Sequence, residues 1–520
     1  MILRRLLALS LLAAAACGSV DEKPKCATSA SCATGQYCAR TPDGDVCWPD
    51  AAPPSIASVT VTCDTTPCVR DAKLTVQVSA SDAAELAAVE VSLDLDPARW
   101  VALSRSGSAW TGQLALREWA FPAFSRGVVA TARARDGARN EVTQAAAGVD
   151  VTRLRWAVEA KVGSTLALSP PAIHPDGTII VGNANHELLF LTPAGAKAED
   201  ALSIGGGAIT SIAVGDKAIW VGNTDNQVRA VSLEKKAILA GLGVNVGGPI
   251  RGGLAVLPGS TEWAFAGGEG GQLGGASSTA GLDELAQPAS FISGPAITSD
   301  AKVCGAITGA SSSLRCYTFV GGALETAWTT SIGTDVTAAL AIDGVGTFFT
   351  GSADGKVFRT SSAGAAAPPF TLPDKLSESA VLLTSGDVVV GDLTGLVHRI
   401  TIAGAEAWSP AANVGGIPLA PLALSGGSAA FLVGTRNGLV RALASDGSSV
   451  WGGALTGAPA LQGTNISLPS TETPVTSTAY FSASNGKVYA VIVDGTLDTD
   501  APWPKAFRDR RNRSNAGAAP

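Results

Sequence analysis

Apolar and polar residues alternate strictly over Ser58 to Thr62, Leu74 to Ala80, Ala88 to Leu93 and Val128 to Ala134. Side chains two apart share one face of an extended strand, so this period predicts half-buried β-strands. Trp100, Trp110 and Trp119 supply large faces to bury among them. Together these segments predict an all-β sandwich over residues 53–152, set off by the linker Ala51-Ala52-Pro53-Pro54. Cys63 and Cys68 bracket Asp64-Thr65-Thr66-Pro67, which predicts a small disulfide loop between two strands.

From Trp156 a second pattern takes over. A glycine, a short polar turn and an apolar strand recur from Gly182 to Leu188, Gly222 to Val228, Gly351 to Val357 and Gly434 to Val440. Asn or Asp beside Gly suits the positive φ of a tight turn, so each is predicted as a hairpin. The equivalent apolar residues Leu188, Val228, Leu273, Leu314, Val357, Val397, Val440 and Val488 are separated by 40, 45, 41, 43, 40, 43 and 48 residues. Repeats of this length hold four short strands each, and eight of them predict an eight-bladed β-propeller over residues 153–507. Pro171, Pro249, Pro295, Pro418 and Pro459 are placed to open the inner strands, where a missing N–H costs no ladder bond. Trp156, Trp328, Trp408 and Trp451 fall at blade ends. The eighth repeat lacks a Trp-bearing fourth strand of its own, so the Trp156 segment is expected to complete it and close the ring.

Composition narrows the class. The mean hydropathy of +0.26 is high. Beyond the first twenty residues, however, no run of about 18 apolar residues offers a membrane-spanning helix. The hydropathy comes from Ala, Val and Leu among 60 glycines, with only 16% charged residues, as in a large all-β chain. A net charge of -7, diffusely spread, excludes nucleic acid as the expected partner.

The first residues carry an address. Arg4 and Arg5, the apolar stretch Leu6 to Ala16, and then Cys17 predict a signal peptide at 1–16. It resembles a bacterial lipoprotein signal, and the alternative is an ordinary cut after Ala14-Ala15-Ala16. That resemblance makes Cys17 the lipid anchor and residues 17–25 a tether, and Gly18 in place of Asp points to the outer membrane. Of nine cysteines, removing Cys17 leaves Cys26, Cys32, Cys38, Cys47, Cys63, Cys68, Cys304 and Cys316, an even set for an oxidising compartment. The first four predict a disulfide-rich module at 26–50, since no C-x2-C pair favours zinc. Three connectivities are open, and the reading leans to Cys26–Cys38 with Cys32–Cys47. Cys304 and Cys316 lie on the arms of one hairpin with its turn near Ala310, placed for a cross-strand disulfide.

Two further likenesses rest on particular residues. Pro171-Ala172-Ile173, then Asp176-Gly177-Thr178-Ile179-Ile180-Val181-Gly182, an apolar strand and a closing Trp resemble the PQQ-like propeller repeat across Trp156 to Phe507. The end segment, Trp503-Pro504-Lys505-Ala506-Phe507-Arg508-Asp509-Arg510-Arg511-Asn512, resembles an element of such propeller proteins. Asp136-Gly137-Ala138-Arg139-Asn140 resembles a turn near the end of bacterial immunoglobulin-like (Ig-like) domains, with the glycine displaced. The PQQ-like family includes quinoprotein dehydrogenases and a lipoprotein subunit of the outer-membrane barrel-assembly machinery. The dehydrogenases use a vicinal disulfide, and this chain has no Cys-Cys pair, so no cofactor is expected. The barrel-assembly subunit lacks the N-terminal modules, so its partner is not carried over. Residues 508–520 are read as a basic, solvated C-terminal tail.

No linear catalytic motif is present. Gly267 to Gly271 lacks the glycine spacing and following helix of a phosphate site, and Asp494, Asp498 and Asp500 miss the calcium-loop spacing. Asp82, Asp136 and Asn140 suit turns as well as a calcium site, and His174, His186 and His398 are scattered. No catalytic, cofactor-binding or metal residue is therefore assigned. The expected function is that of an outer-membrane lipoprotein, held at the membrane through Cys17. Its propeller would act as a non-enzymatic binding or assembly scaffold for other envelope proteins or a surface ligand. Two alternatives stand beside it: a propeller enzyme, lyase or hydrolase, with its site at the axial mouth, and a structural surface-display spacer. Carboxylates and histidines gathered at the axial mouth would favour the enzyme, and a broad apolar or uniformly charged face would favour binding.

Overall fold

The computed structural model describes residues 23–83, 85–235, 237–270, 272–279, 290–291, 294–308 and 312–518. The signal peptide, Cys17 and most of the tether lie outside the described residues. The chain forms two compact units. The first comprises residues up to Thr62 with Leu74–Leu114 and Val128–Gly148, and the second Cys63–Lys73, Ala115–Gly127 and Val149–Pro520. The stretches 63–73 and 115–127, read from sequence as sandwich, thus belong with the second unit, where Trp119 is buried.

Strands of the first unit form two four-stranded antiparallel sheets. The alternation predicted the buried faces: Leu74, Val76 and Val78 on one sheet and Val89, Val91, Ala132 and Ala134 on the other are fully enclosed. Trp100 is covered instead by the Arg133 guanidinium, 4.0 Å from its ring. In the disulfide module, Cys26 is bonded to Cys38 and Cys32 to Cys47 across the hairpin Gln36–Thr41 and Gly44–Pro49. The module is not free-standing. Gly35 N–H donates to Ala138 O at 3.1 Å, and a Cβ on Gly137 would lie 2.6 Å from Ser29 Oγ. Its hairpin therefore packs onto the turn at Asp136 to Asn140.

The second unit is a ring of eight antiparallel sheets, an eight-bladed β-propeller. Blade 1 consists of Ala172–Ile173, Ile179–Gly182, Glu187–Leu191 and Lys197–Ser203, and blades 2 to 7 follow in order. Blade 8 takes Leu461–Ile466, Thr476–Ala483 and Lys487–Asp494 and is completed by Leu154–Glu159, which pairs antiparallel with Lys487–Asp494. The Trp156 segment is therefore the clasp that closes the ring.

The repeated glycine has a different job from a turn former. Gly182 pairs with Leu188, Gly222 with Val228 and Gly434 with Val440, so the glycine sits in the second strand of its blade. A Cβ on Gly182 would stand 2.2 Å from Ile209 of blade 2, and one on Gly434 would meet the Phe481 ring of blade 8 at 2.7 Å. The glycine is the slot into which the next blade's apolar side chain fits. The core accordingly lies between blades: Ile179, Val181 and Leu189 of blade 1 pack with Tyr480, Val488 and Ala490 of blade 8 against Trp156. Burying each large side chain contributes about 1.5–3 kcal/mol.

The blade-end tryptophans lock neighbours together. Trp156, Trp328 and Trp408 donate their indole N–H to the carbonyls of Pro193, Ser362 and Ser445 at 2.9–3.0 Å, each in a turn of the following blade. Trp451 departs from this pattern. The blade it faces is closed by the clasp, and Trp451 packs against Phe124 and under Arg153, whose guanidinium carbon is 4.4 Å from the ring. Arg153 is fully buried and donates to Ala123 O, Phe121 O and the Asp494 carboxylate. Asp494 also pairs with Arg70, so this carboxylate joins the disulfide-loop segment, the clasp and blade 8.

The C-terminal segment corrects the sequence reading. Rather than a solvated tail, residues 503–516 run through the centre of the ring. Carbonyls of Trp503, Pro504, Arg510, Arg511, Arg513 and Ser514 accept hydrogen bonds of 2.8–2.9 Å from the N–H groups of Leu382, Ala423, Ile173, Val214, Val256 and Ile297. Those donors are innermost strands of blades 6, 7, 1, 2, 3 and 4, taken in ring order. Lys505, Asp509, Asn512 and Asn515 are buried there. Charge did not force this segment into water because its charged groups find partners inside: Arg508 donates to Pro502 O, and Arg513 pairs with Asp509 at 2.7 Å.

Candidate ligand-binding site

Two concavities of the second unit deserve description. At the axial mouth, the ends of inner strands from blades 1, 2, 3, 5, 6, 7 and 8 line a cavity of about 450 Å³. Phe507 of the C-terminal segment lies against its Gly253 wall, where a Cβ would come 2.3 Å from the ring. Among the described residues no histidine lines the mouth, and its charged side chains are Arg251 and a single carboxylate, Glu378. Burial pushes its carboxyl up to about 7, while Ala420 N–H at 3.1 Å and Arg436 at 3.8 Å hold it in place.

The larger cavity, about 1290 Å³, opens beside the clasp. Six separate stretches build it: the Cys63–Cys68 loop with the residues up to Asp71, the clasp strand, two separate segments of blade 1 (173–177 and 193–194), the start of the second strand of blade 8 with the loop before it, and Asp509 to Arg513. Its walls are largely apolar, with Val69, Leu154, Ile173 and the stacked pair Trp156 and Tyr480, whose ring centroids are 5.8 Å apart. Burial raises the Tyr480 phenol to about 12 and keeps it neutral. Leu468, at 64% exposure, stands on the rim as an uncovered apolar side chain.

Four arginines line this cavity, and three are neutralised. Arg155 pairs with Asp71, Arg511 with Asp216 and Arg513 with Asp509. Arg510 has no carboxylate within ion-pairing distance among the described residues. Its guanidinium is fixed by donating Nε to Ser467 O at 3.1 Å and Nη2 to Thr496 Oγ1 at 3.2 Å. Burial pushes its pKa down from the usual arginine value, the mark of a cation short of water. Three further polar atoms lack a hydrogen-bond partner: Ser477 Oγ, His174 Nε2 and Arg155 Nε, all buried on residues that line the cavity. The stretches that carry these groups are joined: Ile173 N–H donates to Arg510 O, Arg510 donates to Ser467 O, and Ser467 exchanges hydrogen bonds with Thr478. His174, Arg510 and Ser477 thus sit on linked stretches of one cavity wall.

The residues singled out from sequence fall elsewhere or into structural roles. Cys17 lies outside the described residues. Cys63 is bonded to Cys68 and Cys304 to Cys316, the latter pair directly opposite in register, and the turn near Ala310 lies outside the described residues. His186 occupies a left-handed turn position, and His398 is held within blade 6 between Glu406 at 2.7 Å and Asp392 at 3.2 Å. Asp82 and Asp136 come together with Asp50, their carboxylate oxygens within 4.8 Å of one another. Asp136 accepts from the Asn140 backbone and side chain at 2.8 Å, which is turn chemistry, and an acidic cluster alone defines no cation site. The cavity residues Arg510, Ser477 and Leu468 escaped the sequence reading, since they lie on three stretches with no common spacing.

The fold defines a β-propeller of eight blades. No family model and no curated protein sequence matches this chain. Among solved structures, Sqt1 of Saccharomyces cerevisiae aligns with 64% of this chain and 97% of its own, at a TM-score of 0.53 and 10% identity. The computationally designed Ika8 protein and BamB from Moraxella catarrhalis each cover 64% of this chain and 98% of their own. Their TM-scores are 0.48 and 0.49, at 13% and 14% identity. At such identities the likeness to Sqt1 is one of fold alone.

Proposed function

We propose that this chain is an envelope lipoprotein, anchored through Cys17 in the outer membrane, whose PQQ-like propeller serves as a non-enzymatic binding or assembly scaffold. The seat of the bound partner is the cavity beside the clasp. One observation carries the reading: a cavity of about 1290 Å³ with apolar walls and an exposed apolar rim residue, framed by backbone that the ring closure itself fixes. It exceeds the roughly 300–1,000 Å³ of ordinary small-molecule pockets and has the apolar lining with a few placed polar groups that recognition sites share. Among the described residues a disulfide hairpin and a sandwich precede the propeller in the chain, and such modules suit its presentation at a membrane. Affinity capture from detergent-solubilised envelope tests the proposal. The wild-type chain is expected to retain a partner that Leu468→Asp, a change at an exposed rim position, releases. Equal capture by both chains would remove the cavity from the function.

A further inference from the structure

We infer that the cavity beside the clasp binds an amphiphilic anion, a single carboxylate or phosphate head carried on an apolar body, with the head at Arg510 and the body against the apolar walls. The inference rests on the binding reading above and adds the chemistry of what is bound. Arg510 is the starting point. A guanidinium held by two neutral acceptors and partly withdrawn from water has no carboxylate at ion-pairing distance among the described residues, whereas the three arginines beside it each have one, and Asp509 acts on it only from further off. An anion placed there meets a planar fork of donors already fixed in direction, the geometry that recognises carboxylate and phosphate.

Three unpartnered polar atoms belong to the same lining: Ser477 Oγ, His174 Nε2 and Arg155 Nε. Ser477 is buried, with only 4% of its surface exposed. Buried polar groups in folded proteins are nearly always satisfied, so these orphans in the cavity that holds Arg510 point to a polar group of the bound molecule. The Ser477 hydroxyl and the Arg155 Nε–H donate to an anionic head. The rest of the lining is apolar, with Val69, Leu154, Trp156 and Tyr480, and Leu468 stands on the rim next to Ser467, the residue that accepts from Arg510. A fully hydrated anion such as a free sugar acid would leave those walls wet and Leu468 uncovered. An apolar body covers them, each buried methylene contributing about 0.8 kcal/mol.

Titration calorimetry on the mature chain with dodecanoate, dodecyl phosphate and dodecanol, all below their critical micelle concentrations, tests this. Both anions are expected to bind at one site, and dodecanol at least about tenfold more weakly, since a charge-assisted hydrogen bond is worth about one decade or more. Which of the two anions binds tighter tells carboxylate from phosphate. Arg510→Gln should weaken both anions about tenfold or more while leaving dodecanol unchanged, and Arg510→Lys should recover part of the loss for phosphate. Leu468→Asp, at an exposed position that leaves the fold intact, should weaken all three. Equal binding of dodecanol and the anions, or anion affinity untouched by Arg510→Gln in a chain with wild-type melting, would overturn the inference. If no probe binds yet Leu468→Asp still releases the captured envelope partner, the anion assignment fails and the scaffold reading stands. If that substitution changes neither, both fail.

Discussion

Replacing Asn512 by Ala should damage the propeller more than any change to the charged residue beside it. Asn512 Nδ2 donates to Pro171 O at 2.9 Å and to Ile212 O at 3.3 Å, and its Oδ1 accepts from the buried Lys505 ammonium at 2.8 Å. Ala deletes all three. Losing a hydrogen bond to a charged group costs about 1.5–3 kcal/mol, and orphaning a buried carbonyl adds about 1–3 kcal/mol. Asn512 also sits at φ 58°, a left-handed conformation that Asn tolerates and Ala adopts at a cost of about 1 kcal/mol. Allowing for relaxation, the expected loss is about 3–5 kcal/mol. For so large a unit that corresponds to a melting point lower by about 5–10 °C, at roughly 2 °C per kcal/mol. Arg511→Ala is the control. It removes a pair with Asp216 that is half open to solvent, worth at most about 1 kcal/mol and so about 2 °C. Thermal unfolding followed by Trp fluorescence reads both. Equal shifts in the two variants, or an Asn512→Ala chain within about 1 °C of wild type, would refute the reasoning that the C-terminal segment holds the ring from its centre.

Other expectations follow from single contacts. Arg153→Met strips the Asp494 carboxylate of its shortest partner inside the fold and should cost about 3–5 kcal/mol by chemical denaturation. Gly447→Ala puts a Cβ 2.7 Å from the Trp408 ring at φ 83° and should cost about 2–4 kcal/mol. Gly426→Ala, at φ 76° with open space around it, should cost only about 1–2 kcal/mol in the same assay. Burial lowers the Lys505 ammonium to about 7 from its usual 10.5. Between those values the unfolded chain holds a proton that the folded chain has released, so this residue makes stability rise with pH across about 7 to 10.5. Lys505→Met should flatten that rise in melting curves recorded across the range. Cys17→Ser should move the protein from the detergent-extracted membrane to the soluble exported fraction without changing its melting point.

How far the sequence spoke depended on whether a signal was local. The hairpin repeat placed Leu188, Val228 and Val440 where they pair with their glycines, because strand and turn residues lie within seven positions of one another. The clasp was legible from bookkeeping: one Trp too early and one strand too few at the end. Residues 63–73 and 115–127 were not, since what draws them to the second unit is Arg70 donating to Leu116 and Trp119 carbonyls and pairing with Asp494, contacts between stretches more than forty residues apart. The segment Arg508 to Arg513 misled for a related reason. Four arginines in six residues resemble a solvated tail, and nothing in their spacing reveals that backbone carbonyls and Asp509 satisfy them inside the ring. The cavity was invisible because six stretches build it, and its defining feature, an arginine without a carboxylate at ion-pairing distance, is a property of neighbours in space.

The C-terminal segment closes the centre of the ring and, with the clasp, builds walls of the larger cavity. Amide hydrogen exchange on the mature chain and on a chain ending at Asp509 tests this most directly. Ile173, Val214, Val256 and Ile297 donate their N–H groups to carbonyls of Arg510, Arg511, Arg513 and Ser514. In the full chain these four amides should exchange as slowly as those of the Thr476–Ala483 and Lys487–Asp494 ladder. In the shortened chain they should exchange far faster while that ladder keeps its protection. Unchanged exchange at all four in the shortened chain would contradict the claim.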